Sequence, residues 1–149
     1  MKRICFIIMV ISFIMAGRAG QCAEASISAG FVDSLKGDVV LVSSSERVTV
    51  RENMHFRTGD TIRTGKDSSV GLIFKDDTVV ALGANSELVV EDFVFNPAEE
   101  ELSFITRLIK GSFSFVTGQI GKLAPKKVKV QTPNATLGVR GTKFLVKVD

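Results

Sequence analysis

The 149-residue chain has no tryptophan and no tyrosine, and its aromatic content is 11 phenylalanines. Trp and Tyr are the usual sugar-stacking platforms and interface anchors, so a carbohydrate-binding groove of the common kind loses support. One histidine, His55, and two cysteines, Cys5 and Cys22, leave little for metal or thiol chemistry. His55 without a second histidine or a retained cysteine does not assemble a zinc site. A Gly-x-Ser-x-Gly elbow, a Cys/His pair and a phosphate-binding glycine loop are all missing, and Ser/His/Asp catalysis would rest on His55 alone. No catalytic residue, metal or cofactor is therefore expected. Long hydrophobic runs are missing too: the apolar stretch at residues 4–16 is broken only by Ser12, and it falls short of the roughly 20 residues that a membrane-spanning helix needs.

That stretch follows Lys2 and Arg3 and gives way to small residues, which is the pattern of a secretory signal peptide. Cleavage after Ala19, Ala23 or Ala25 is compatible with the sequence, and Ala25 is preferred. Residues 1–25 are then expected to be a signal peptide and residues 26–149 the exported domain. Cys22 raises the question of lipidation, but Gln21 puts a bulky amide where a small residue is expected before an acylated cysteine. Removing residues 1–25 takes away Lys2, Arg3, Arg18 and Glu24, so 19 basic and 16 acidic residues become 16 and 15. The near-neutral remainder argues against a nucleic-acid partner. A domain of this length buries a core without disulfides or metal.

From Gly37 onward, short runs rich in Val, Ile and Phe alternate with polar or glycine-containing breaks, and no stretch holds a 3.6-residue period over three turns. Strands are predicted at 39–42 and 47–51, joined by a Ser43-Ser44-Ser45 turn, and around Thr61-Ile62-Arg63 between Gly59 and Gly65. These two glycines are expected to allow positive φ at turns. Segments 70–74 and 78–82 flank Lys75-Asp76-Asp77 as a tight antiparallel hairpin. Strands continue at 88–90, 93–95, 102–109 and 112–116, with a break at Asn96-Pro97-Ala98 and a solvated edge at Glu99-Glu100-Glu101. Residues 118–127, with glycines, Pro125 and three lysines, read as a loop, followed by strands at 128–132 and 143–148. About a dozen short strands imply one all-β domain, a two-sheet sandwich or roll that is jelly-roll-like or β-helical.

Several segments together resemble the FecR domain family of bacterial envelope proteins. They are Leu35-Lys36-Gly37-Asp38-Val39, the stretch from Thr58-Gly59-Asp60 through Arg63-Thr64-Gly65, residues 67–83 with Asp76-Asp77-Thr78 and Leu82-Gly83, Asn85-Ser86-Glu87-Leu88, and residues 130–144 with Gly138-Val139-Arg140-Gly141-Thr142. The resemblance implies a β-rich periplasmic domain that, in signalling members, relays a signal from an outer-membrane iron transporter to a sigma factor. This sequence is expected to lack the cytoplasmic N-terminal segment, the retained transmembrane helix and the receptor-meeting C-terminal region of those members. Direct sigma-factor contact and iron regulation are therefore not carried over.

Two motifs bear on binding. Arg140, with Gly138, Gly141 and Thr142, is either an anion clamp presented on a glycine-bounded turn or a brace that bonds carbonyls or an internal acid such as Asp60 or Asp76. The turn adjoins two strands that must reverse direction, which favours the brace. Lys122, Lys126, Lys127 and Lys129 form the basic cluster, either a solvated loop or a contact for an anionic lipid surface or acidic partner. The functional expectation is an interaction or sensing module whose partner is an envelope protein. The alternative is a binder of cell-wall glycan or another polyanion through Arg140 and the lysines.

Overall fold

The structure is a computed structural model that describes residues 27–149. The signal-peptide expectation lies outside the described residues. Twelve strands form one continuous sheet that curls on itself: β1 Ser28–Lys36, β2 Val39–Ser43, β3 Glu46–Thr49, β4 His55–Arg57, β5 Thr61–Thr64, β6 Ser69–Phe74, β7 Val79–Leu82, β8 Glu87–Asn96, β9 Glu101–Val116, β10 Val128–Gln131, β11 Thr136–Gly138 and β12 Lys143–Val148. All pairings are antiparallel except β9 with β10. The all-β reading holds, in the form of a roll rather than two separate sheets.

The strand β9 makes the roll continuous. Its first part pairs with β8 and β10, and its last part, from Gly111 on, pairs with β7 and β12. Sequence reading divides this stretch at Gly111, but the structure keeps one strand of 16 residues that turns a corner there. Gly111 has φ 94°, and a Cβ on it would overlap Ser86, so only glycine fits the corner. Likewise 88–90 and 93–95 are one strand, β8, with a register irregularity between Val90 and Asp92.

Small polar side chains close the end of the roll where chains cross between layers. The Asp38 amide donates to Ser68 Oγ at 2.9 Å, Thr64 Oγ1 donates to the Gly83 carbonyl at 2.6 Å, and the Ser112 amide donates to Ser86 Oγ at 3.0 Å. These side chains satisfy backbone groups that the interrupted ladders leave unpaired. The core between the layers is built on phenylalanine: Phe104 meets Phe74 at 4.7 Å and Phe115 at 5.4 Å between ring centroids, while Phe56 packs on Phe74 at 5.0 Å. Each ring is fully buried and contributes roughly 2–3 kcal/mol of transfer free energy.

Two elements escape sequence reading. β1 lies upstream of the first predicted strand, because Asp33 and Ser34 interrupt its alternation, yet Ala29 and Val32 are buried and the strand pairs with β4 and β6. Residues 118–127 are not a loop: they form a short helix, α1, over Gln119–Leu123 and a 3-10 turn over Pro125–Lys127. Glycine expectations are corrected in part. Gly59 (φ 92°) and Gly141 (φ 128°) are left-handed, whereas Gly65 is not, and the left-handed residue of that turn is Asp67. Gly138 is no turn residue but the last of β11, opposite Lys129.

Candidate interaction surface

The surface begins with α1. Asp76, fully buried in the β6–β7 turn, accepts hydrogen bonds from the Thr78 amide at 3.1 Å, the Thr78 hydroxyl at 2.7 Å and the Ile120 amide at 3.2 Å. Its carbonyl also accepts from the Gln119 amide at 2.7 Å. One carboxylate thus closes its own hairpin and holds the start of a helix 44 residues on. Ile120 sinks into the core, while Leu123, the last residue of α1, is 61% exposed beside Lys122. The chain then passes Pro125, Lys126 and Lys127 into β10, where Val128 and Val130 face the core and Lys129 faces solvent.

β10 and β11 form a hairpin, after which Val139 returns to the interior and Arg140 points out. Thr117 fixes the next step: its hydroxyl donates to the Gly141 carbonyl at 2.7 Å and its amide to the Thr142 carbonyl at 2.9 Å. The left-handed Gly141 lets the backbone turn from one layer into β12 of the other.

Sequence-predicted residues are brought together here. Arg140 and Lys126 border two adjoining grooves, one of about 660 Å³ with Leu123, Lys127, Val139 and Gly141, the other of about 320 Å³ with Val128, Lys129 and Gly138. Among the described residues, no carboxylate lines either groove. Thr142 lines neither, and its carbonyl is engaged by Thr117. The internal brace is not what the structure has: among the described residues Asp60 receives the Arg57 amide at 2.8 Å, Asp76 is used by Thr78 and Ile120, and Arg140 is exposed on the surface. The brace failed because both acids serve backbone amides close at hand, which cost no long side-chain ordering.

Residues 59–65 do not form a single surface. Strand β5 separates the two glycines. Thr58 and Asp60 border a groove of about 810 Å³ with Phe93, Phe95 and Lys75, while Gly65 lies at the Ser/Thr-lined end and donates its amide to the Asp38 carbonyl. Glu99, Glu100 and Glu101 are exposed, as expected. His55 has Nδ1 3.2 Å from Ser28 Oγ, on the opposite edge of the sheet from β12. Among the described residues no three His, Cys, Asp or Glu side chains converge, and no helix is long and apolar enough to cross a membrane.

The chain belongs to the FecR family: the family model for FecR protein matches residues 60–149. This is a regulatory, non-enzymatic family of envelope-associated signalling and sensing modules. The match begins at Asp60, yet β1 to β4 are integral to the same sheet, β1 pairing with β6 and β2 with β5. No curated protein and no solved structure matches the chain.

Proposed function

We propose that the chain is exported by a cleaved N-terminal signal, residues 1–25, and acts in the periplasm as a protein-interaction module that contributes to sensing without performing chemistry. The observation that carries this reading is the pair of adjoining grooves around Arg140, Lys126, Lys127 and Lys129, with an apolar floor and no carboxylate. An apolar floor with a charged rim suits a protein partner, since the floor supplies area and the rim supplies orientation and rate of encounter. A glycan or polyanion would use the same cations, but the surface offers no Trp or Tyr to stack a sugar ring.

The test is crosslinking of the tagged chain in its native envelope, followed by mass spectrometry. One enriched envelope protein, linked through Lys126, Lys127 or Lys129, is the expected result. Recovery of glycan alone, with binding that collapses between low and physiological salt, moves the assignment to the polyanion reading. Recovery of the chain linked only to itself moves it to self-assembly.

A further inference from the structure

The curled sheet ends in four edge strands, and they are not alike. β3 has four residues, β4 three and β11 three, lengths that protect an edge by offering little to pair with. β12 has six and pairs only with β9, so the backbone groups along its other side have no partner among the described residues. Its core-facing side chains are unfinished as well. Phe144 stacks on Phe115 at 4.9 Å, but Phe144, Val146 and Val148 stay half exposed where Phe113 and Phe115 on the neighbouring strand are fully buried.

The opposite face of β12 presents Lys143, Leu145 at 73% exposure, and Lys147. The residues beside them on β9 are Val116, Ser114 and Ser112, and beyond those Val79 and Ala81 on β7, with no carboxylate in these rows. Asp149 reaches Lys147 at 3.6 Å, but both are almost fully exposed, so the pair is weak.

Resting on the interaction-module reading, we propose that β12 is the docking edge and that it receives an extended, acidic segment of the partner as an added strand. The partner chemistry follows from the face it meets. Acidic residues two positions either side of an apolar one complement Lys143, Leu145 and Lys147, while apolar residues on the alternate positions cover Phe144, Val146 and Val148. The same lysines discriminate against a second copy. Antiparallel self-pairing centred on Leu145 sets Lys143 opposite Lys147 twice, and like charges directly opposite are destabilising. A lysine-bearing edge usually repels strands; here it repels cationic and selects anionic ones.

The experiment uses the purified protein and labelled heptapeptides that alternate acidic and apolar residues, the same peptide with lysine for each acid, and the same peptide with a central proline. The acidic peptide is expected to bind and to weaken about tenfold between low and physiological salt, and the lysine and proline peptides to bind at least about tenfold more weakly. Lys143→Glu with Lys147→Glu, both exposed and harmless to folding, is expected to reverse the preference. Equal binding of all three peptides, or an unchanged preference in the double variant, overturns the proposal. A dimer abolished by Leu145→Lys gives the edge to a second copy and overturns it too. A partner crosslinked through Lys126, Lys127 or Lys129 but never through Lys143 or Lys147 overturns the β12 assignment while the interaction-module reading stands. No partner and no peptide binding removes both.

Discussion

Residues 27–118 carry nine Lys or Arg against fourteen Asp or Glu, whereas residues 119–149 carry seven against one. Burial divides along the same line: the later stretch adds only Ile120, Val128, Val130 and Val139 to the core, and every fully buried phenylalanine belongs to the earlier one. The earlier region uses its acids internally, Asp60 and Asp76 each sealing a turn. The later region extends the roll from β9, with which β10 and β12 pair, and has its charges exposed and two strand edges open. Under the proposed function, stability and recognition fall to different lengths of chain, so that a surface used for binding does not have to hold the core.

Breaking the core should have the largest effect. Phe104→Ala is expected to cost about 4 kcal/mol in urea unfolding, and a loss below about 1 kcal/mol would mean that the stacked rings are not the centre of stability. Gly111→Ala, which forces a Cβ into Ser86 at a left-handed corner, should cost about 3 kcal/mol, with β9 still assembled in whatever folded fraction remains. Asp76→Ala cuts the link that holds α1 to the β6–β7 turn. It should cost about 2 kcal/mol, and hydrogen exchange should speed up at Ile120–Leu123 well before it does at Phe113–Phe115; uniform acceleration would deny that Asp76 acts on α1 locally.

Smaller effects sharpen the comparison. The hydroxyl of Thr106 is fully buried and has no hydrogen-bond partner among the described residues. Thr106→Val should therefore raise stability by about 1 kcal/mol, and a loss instead would reveal a partner for that hydroxyl. Lys126→Glu with Lys127→Glu should leave stability within about 0.5 kcal/mol yet remove the crosslinked partner, which separates recognition from folding.

Much of the fold was legible because strand formation is written locally: the runs at 39–42, 70–74 and 143–148 alternate or cluster in ways that only a sheet satisfies. β1 was not, because Asp33 and Ser34 look like a break until β6 supplies a pairing partner. The helix α1 was hidden by its glycine and its shortness, and its cause, Asp76, lies 44 residues from Ile120. Of the candidate surface, Arg140 and the lysines were visible as residue types, but their meeting around common grooves was not, since β10, the turn at Gly141 and α1 come together only in the folded chain. Leu145 carried no signal at all: an exposed leucine in an alternating strand reads as buried until the edge is known.

The amino-acid order by itself determined the all-β class, the turn positions rich in Gly, Asn and Asp, the phenylalanine core and the shift to basic residues after position 118, since each depends on local propensity or on counting. Tertiary structure alone decided that one strand serves both layers, that Asp60 and Asp76 are spent on backbone amides and leave Arg140 outward, and that β12 is a long open edge. Those outcomes depend on which distant segments become neighbours, and no local pattern encodes the competition among partners that settles it.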